Sequence, residues 1–202
     1  MTSATPGDRP RTVILLAGPS GSGKSRLTRA TGAPQLRLDD FYRADTDEHL
    51  PMVDGRIDWD DVRSWDTGAA ARAVDALVRC GRTEAPLYSI QLNRATGSHV
   101  VDLEGSPVVV AEGIFAPDLL ATCRDQGVEV TPLWLDRSRH ANFARRLRRD
   151  LKQHRKPPAV LVRRGLQLWR EERAKRTRAL ELGFRPMGMA QAVTLVRELQ
   201  QR

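Results

Sequence analysis

The chain has 202 residues, of which 40% are hydrophobic and 29% are charged, and its formal net charge is +8. This length predicts one α/β domain with a substantial core and leaves too little chain for two such domains. The start of the chain lacks the apolar segment of a secretory signal, and no apolar run approaches the length of a membrane span. We therefore expect a cytoplasmic protein without a membrane partner, and the sequence leaves its oligomeric state open.

The basic charge is concentrated between residues 137 and 178, and it comes mostly from arginine. A basic protein suggests nucleic acid as its first partner. These arginines are not interleaved with aromatic residues along one face, however, and a guanidinium group also suits the oxygens of a polyphosphate. We therefore favour a small phosphorylated ligand over nucleic acid.

The first predicted strand, residues 13–17, leads without a gap into a glycine-rich octet, and a helix is expected to begin at Lys24. The octet matches the phosphate-binding pattern G-x-x-x-x-G-K-[ST] at every fixed position. A short continuous apolar run is typical of a buried parallel strand, so the strand–loop–helix setting is also present. The octet consists of the predicted ATP-binding residues Gly18, Pro19, Ser20, Gly21, Ser22, Gly23, Lys24 and Ser25.

The residue types of this loop suit a nucleoside triphosphate. Glycines let backbone amides approach a phosphate, and the following helix adds its unpaired amides and its positive dipole end. Lys24 supplies a point charge for the outer phosphates, and the Ser25 hydroxyl is placed to ligate Mg²⁺. The alternative, a glycine- and serine-rich turn without a ligand, is disfavoured by the complete octet.

A second short strand, residues 35–38, ends in the pair Asp39 and Asp40. Functional side chains of open parallel sheets lie beyond the carboxyl ends of strands, so we expect the pair to face the phosphate loop. Asp39 is the candidate base for an acceptor hydroxyl and a candidate metal neighbour, whereas Asp40 points elsewhere because adjacent side chains of an extended chain alternate. The alternative is that the pair caps a helix beginning at Phe41.

The middle of the chain is expected to contain a loop, a helix and a hairpin. Residues 44–56 are polar and predict a loop, and the spacing of residues 67–80 predicts a helix that Gly81 ends. Residues 84–101 predict a β-hairpin flap with its turn at residues 95–97.

Two further strands are predicted at residues 107–111 and 128–135, with a helix at residues 117–123 between them. The first of these strands ends in Glu112, where an acidic side chain commonly holds Mg²⁺ directly or through a water molecule. The alternative is a solvated carboxylate at the end of a strand.

The remainder is predicted to be helical from residue 137, with a break at residues 157–158 and a last helix over residues 189–199. Strands that alternate with helices predict a mainly parallel sheet with helices on both faces. We expect a single domain over residues 12–202, a flexible tail over residues 1–11 and an arginine-rich helical lid over about residues 137–158.

The lid supplies the candidate cations for the transferred phosphate. The arginines share helix faces at spacings of three and four residues, so they form a cluster that could close over ATP. The candidates are Arg145 and Arg146 for ATP, Arg146 and Arg149 for the acceptor side, and Arg149 for catalysis together with Lys24 and Asp39.

A second group of residues is suited to hold the acceptor. Carboxylates bind sugar hydroxyls, and aromatic rings pack against a flat base or a hydrocarbon surface. The candidates are Tyr42, Asp58, Asp60, Asp61 and Tyr88.

Six segments occur in an order that is similar to the uridine kinase (uridine–cytidine kinase) family of P-loop kinases. They are GPSGSGKS, LDDFYR, IDWDDVRSWD, PLYS, VVVAEGIFA and RRLRRDLKQHRKPP, and the resemblance covers about residues 12–158. The resemblance implies a three-layer P-loop kinase fold that uses ATP and Mg²⁺. It also implies transfer of the γ-phosphate to the 5′-hydroxyl of a pyrimidine nucleoside.

The resemblance implies a role for most of the candidate residues. Asp39 is similar to the catalytic base, Ser25 and Glu112 to the other metal-associated side chains, and Asp58, or else Asp60, to the carboxylate that grips the ribose. Tyr42 and Tyr88 are similar to pocket aromatics, and Arg146, Arg149 and Lys156 to lid cations.

The sequence departs from the family around the acceptor. Ser89 and Ile90 stand where the family has Asp-Phe, Asn93 stands roughly where a histidine reads the base, and the lid lacks a glycine. The acceptor therefore stays open between uridine or cytidine and another hydroxylated metabolite. A non-catalytic ATP-binding regulatory protein is the remaining alternative.

Overall fold

A computed structural model describes residues 11–138, 140, 142–145, 148 and 158–201, and only the backbone of residues 158–168. The strands are β1 Thr12–Ala17, β2 Gln35–Arg37, β3 Met52–Val53, β4 Arg56–Ile57, β5 Arg82–Ser89, β6 Arg94–Asp102, β7 Val108–Glu112, β8 Val130–Leu135 and β9 Arg185–Met187. The α-helices are α1 Lys24–Thr31, α2 Thr67–Cys80, α3 Ala116–Asp125, α4 Pro158–Glu181 and α5 Met189–Gln200.

A parallel five-stranded sheet, in the order β2-β7-β1-β8-β9, forms the centre of the fold. Every residue of β1 and of β7 is buried. This burial explains the continuous apolar runs at residues 13–17 of β1 and 108–111 of β7, because a strand covered on both faces has no solvent-exposed side. The predicted α/β fold class is confirmed.

Helices cover both faces of the sheet, as predicted. Alternate residues of a strand point to opposite faces, and β1 accordingly divides its side chains between two cores. Val13 and Leu15 pack in the core that α2 and α3 cover. Ile14 and Leu16 pack in the core that α1 and α5 cover.

The predicted helix over residues 67–80 has the observed bounds of α2. Asp66 caps it by accepting a hydrogen bond from the Ala69 amide at 2.8 Å. Gly81 ends it in the left-handed conformation, with φ at 76°. Arg11, which we expected to belong to the tail, donates hydrogen bonds to the carbonyl oxygens of Val78 and Arg79 at the end of this helix.

The predicted turn of the β5–β6 hairpin is wrong. The turn lies at residues 90–93, and residues 95–97 belong to β6. Asn93 has φ at 48°, the left-handed conformation that tight turns require, whereas Gly97 has no positive φ. Pairing across the hairpin, with Ser98 opposite Pro86, therefore leaves Gly97 within a strand.

Two further elements were not predicted. The predicted loop over residues 44–56 contains the small hairpin of β3 and β4, whose turn residues Asp54 and Gly55 both have positive φ. Asp-Gly is a favoured turn pair, so the signal was present in the sequence. The three-residue strand β9 adds an edge to the sheet beside β8. None of the helices that the structure describes is long and apolar enough to span a bilayer.

Candidate active site

The phosphate loop and the two acidic candidates meet at one edge of the sheet. The loop follows β1, Asp39 lies two residues beyond β2, and Glu112 is the last residue of β7. Because β7 lies between β1 and β2 and all three strands are parallel, their carboxyl ends lie side by side. Asp39 belongs to a 3₁₀ helix, Leu38–Phe41, so the strand ends one residue earlier than predicted and no helix starts at Phe41.

The loop has the backbone conformation that an anion-binding nest requires. Gly21 and Gly23 have φ of 91° and 102°, values that residues with a Cβ rarely adopt. No side chain caps α1, so its first amides are left for a ligand. Ser22 is fully buried, and its hydroxyl has no hydrogen-bond partner among the described residues.

Lys24 reaches back across the loop. Its ammonium donates a hydrogen bond to the carbonyl oxygen of Gly18 at 2.9 Å and lies 3.8 Å from Glu112 Oε2. The charge is therefore at the mouth of the nest, where outer phosphates would bind.

Glu112 is a buried carboxylate that Gln35 holds in place. The Gln35 amide donates a hydrogen bond to Glu112 Oε1 at 2.9 Å, and Thr28 donates to Gln35 Oε1 at 3.3 Å. Burial raises the pKa of Glu112, Lys24 opposes this shift, and the charge of Asp39 raises the pKa further. The two carboxylates are thus close enough to repel each other, which a bound cation would relieve.

Asp39 occupies a confined position. Its Oδ1 accepts a hydrogen bond from the Ile114 amide at 3.1 Å. A Cβ on Gly113 would lie 2.8 Å from the same oxygen and 2.7 Å from Leu38 Cβ, so only glycine fits there. Asp40 is buried and lies 3.5 Å from Arg37 Nη2. Alternation along an extended chain does not apply to it, because it lies in the 3₁₀ helix with Asp39.

The oxygens at this edge suit Mg²⁺. Ser25 offers a hydroxyl, and Asp39 and Glu112 offer carboxylates, which are the hard ligands that Mg²⁺ prefers. No group of three histidine, cysteine or acidic side chains among the described residues is arranged to hold a metal by itself.

Aromatic side chains line the region beyond Asp39. The ring of Tyr42 lies 5.7 Å from that of Tyr88 and 5.8 Å from those of Trp59 and Phe115. The Tyr42 hydroxyl donates to the carbonyl oxygen of Trp59, and burial raises the pKa of Tyr88. The structure thus brings the two predicted tyrosines together.

The two acidic candidates for the acceptor line one cleft of about 540 Å³. Asp58 Oδ1 accepts a hydrogen bond from the Asp60 amide at 3.0 Å, and Asp60 forms an ion pair with Lys175 of α4 at 3.3 Å. Asp61 is engaged elsewhere, since hydrogen bonds from the Arg63 side chain and backbone lower its pKa to about 2. Asp58 and Asp60 therefore share this cleft, whereas Asp61 is held by Arg63.

The predicted lid falls partly within the described residues. Arg145 is described and exposed, whereas Arg146, Arg149 and Lys156 lie outside the described residues. The roles predicted for those three residues stay predictions.

Sequence reasoning missed Gln35, Gly113 and Lys175 at this site. Gln35 and Glu112 are 77 positions apart, and Lys175 and Asp60 are 115 apart, so no local pattern connects them. Gly113 directly follows Glu112, the predicted metal ligand, and this adjacency was the one feature of the sequence that could have identified it.

We expect Gln35→Met to lower the free energy of unfolding by about 1–3 kcal/mol at neutral pH, because buried Glu112 loses its donor. The folded-state pKa of Glu112 then rises further above the unfolded value. The decrease in the free energy of unfolding is therefore absent below about pH 4. It develops as the pH rises through the pKa of Glu112 in the folded protein. Denaturant unfolding of Gln35→Met and of the exposed control Gln91→Met, across a pH range that spans this pKa, measures the decrease. A decrease that does not depend on pH would contradict the role of Gln35 in stabilising the Glu112 carboxylate.

The sequence and the fold were compared with known proteins. No family model matches the chain. It is 26% identical over 147 residues to a uridine kinase from Bacillus cereus (strain AH187), an alignment that covers 70% of this chain and 68% of that protein. It is 27% identical over the same length to a uridine kinase from Bacillus cytotoxicus, with the same two coverages.

A solved structure shows the same fold. A protein provisionally assigned as a fructose transport system kinase, from Silicibacter sp. TM1040, aligns with a TM-score of 0.58 at 20% identity. The alignment covers 84% of this chain and 86% of that chain. The sequence alignments confirm the resemblance to uridine kinases. The chain is therefore similar to uridine kinases and has the P-loop kinase fold of that solved structure.

Proposed function

We propose that this protein transfers the γ-phosphate of ATP to a hydroxyl of a small molecule, with the 5′-hydroxyl of uridine or cytidine as the leading acceptor. One observation carries the proposal: Asp39 and Glu112 lie at the carboxyl ends of two adjacent parallel strands, and Lys24 of the phosphate loop lies 3.8 Å from Glu112 Oε2. A base, a metal-binding carboxylate and a phosphate cradle are the parts that phosphoryl transfer requires.

The donor side follows from the loop. Backbone amides at Gly21, Gly23 and the start of α1 would bind the β- and γ-phosphates, and Lys24 would leave Gly18 and Glu112 to pair with them. Ser25 and Glu112 would hold Mg²⁺, which neutralises the charge that develops on the transferred group. Arg145, Arg146 and Arg149 are the proposed additional cations on the lid.

The acceptor side follows from Asp39 and the aromatic cluster. Asp39 would accept the proton of the attacking hydroxyl, while Asp58 or Asp60 would bind other hydroxyls of the acceptor. Tyr42 and Tyr88 would pack against its flat or apolar surface. The relatives named uridine kinase support a pyrimidine nucleoside as that acceptor.

A second candidate is a kinase of another hydroxylated metabolite. Asn93 stands roughly where the resemblance places a base-reading histidine, and its amide donates to Asp45 Oδ2 at 3.4 Å instead. Its backbone oxygen also accepts from the Asp45 amide at 2.9 Å. Because Asp45 holds the Asn93 side chain, recognition of the acceptor through its hydroxyls is favoured over recognition of a base.

The test is ADP release with uridine, cytidine, purine nucleosides, hexoses and polyols as separate acceptors. We expect uridine or cytidine to raise the rate above the acceptor-free background. A hexose or polyol that alone raises it would support the second candidate. No stimulation by any acceptor, together with intact ATP binding, would identify a regulatory ATP-binding protein and contradict the kinase proposal.

A further inference from the structure

The chain passes directly behind the phosphate loop as it leaves β8. A Cβ on Gly18 would lie 3.3 Å from the carbonyl oxygen of Leu135, the last residue of that strand. Two residues later, half-buried Arg137 brings its guanidinium to the other end of the loop. A Cβ on Gly23 would lie 3.9 Å from Arg137 Nη1.

Two further guanidinium groups affect the pKa of Arg137. Arg26 lies in the first turn of α1, immediately after the loop, and Arg145 belongs to the arginine-rich segment. Burial lowers the pKa of Arg137, and the positive charges of Arg145 and Arg26 lower it further. Arg26 and Arg145 therefore each repel the guanidinium of Arg137, which lies beside the loop.

No described carboxylate balances this charge. Within the described residues, none of Arg26, Arg137 and Arg145 forms an ion pair, although arginines elsewhere in the fold pair with aspartates. The carboxylate next in sequence, Asp136, is bound by Arg176, whose Nη2 donates to Asp136 Oδ2 at 2.8 Å. A half-buried cation without a counter-ion is costly, and a bound anion removes that cost.

We propose that Arg137, assisted by Arg26 and Arg145, binds the phosphate chain of the donor nucleotide as a cationic contact separate from Lys24. This rests on the proposed function only in taking ATP as the donor. The guanidinium fork pairs with two phosphate oxygens at once, which the single ammonium of Lys24 cannot do. Its position beside Gly23, the residue that precedes α1, places it near the loop amides that would bind phosphate.

The test measures nucleotide binding without an acceptor, so that it is independent of turnover. We expect Arg137→Gln to weaken the binding of ATP and of inorganic tripolyphosphate about tenfold by calorimetry. Arg137→Lys should recover only part of the loss, because the charge is kept and the fork is not. Arg82→Gln, which removes an exposed arginine at the start of β5, is the matched control and should bind both probes like the unchanged protein.

The outcomes separate this inference from the proposed function. If the unchanged protein does not bind ATP, both are wrong. If it binds ATP and Arg137→Gln binds equally well, the inference is wrong and the proposed function stands. Arg26→Gln, at an exposed position of α1, provides a second variant should Arg137→Gln fail to fold. This variant should lower the affinity for both probes by a smaller factor. Unchanged affinity would contradict the proposal that Arg26 assists Arg137.

Discussion

Asp39→Asn is expected to lower kcat about a thousandfold while the affinity for ATP changes little. The amide cannot accept the proton of the attacking hydroxyl. It has nearly the same shape as the carboxylate, and its oxygen can still accept the hydrogen bond that the Ile114 amide donates at 3.1 Å. The loss should therefore be one of chemistry and not of folding. Steady-state kinetics with the best acceptor, together with calorimetric titration of ATP, separates the two.

Asp40→Asn is the matched control for this prediction. Asp40 is adjacent in sequence and buried, and burial raises the pKa of its carboxyl, an effect that Arg37 opposes. Asparagine removes the cost of burying that charge, so we expect turnover within about threefold of the unchanged protein and no loss of stability. Equal losses from both variants would show that Asp39 has no special role.

Gly113→Ala is expected to lower kcat about a hundredfold, because misplacing a catalytic group by about 1 Å costs that much. The new Cβ would lie 2.8 Å from Asp39 Oδ1 and 2.7 Å from Leu38 Cβ, so the candidate base must move. Gly113 has no positive φ, and alanine therefore causes steric conflict without backbone strain. Kinetics of the purified variant, beside its thermal unfolding, measure the effect.

Gly97→Ala provides the control for an added methyl group. Gly97 also lacks a positive φ, and the nearest atom to its new Cβ, Leu87 Cδ1, would be 3.9 Å away. We expect activity and stability close to those of the unchanged protein. Should Gly113→Ala retain full turnover, the confined position of Asp39 would have no part in the reaction.

The hairpin shows why local patterns placed some turns incorrectly. Ala-Thr-Gly at residues 95–97 has turn composition, yet the register of β5 with β6 places it within a strand and leaves the turn to Ile90–Asn93. Register is decided by side chains on both strands and by what each face packs against, and neither is visible in three consecutive residues. The Asp54-Gly55 turn, by contrast, was readable locally and was overlooked.

The surroundings of the residues proposed to bind the acceptor also depend on long-range packing. The ring of Tyr42 contacts Phe115, three residues beyond the carboxyl end of β7, and Trp59. Lys175 reaches Asp60 from α4. The sequence identified the tyrosines and aspartates as residue types suited to bind an acceptor. It did not show which of these side chains bind other groups of the protein. The engagement of Asp61 by Arg63 and of Asn93 by Asp45 appears only in the folded chain.

The sequence by itself determined the phosphate loop, the bounds of α2 and the parallel order of strand, loop and helix. Each depends on contiguous residues whose backbone preferences and apolar spacing act locally. Only the tertiary structure decided how Gln35 holds Glu112, why residue 113 is glycine and where Arg137 lies relative to the loop. Those relations join segments that are distant in the chain, and they exist only because the parallel sheet aligns the carboxyl ends of β1, β2, β7 and β8 at one edge.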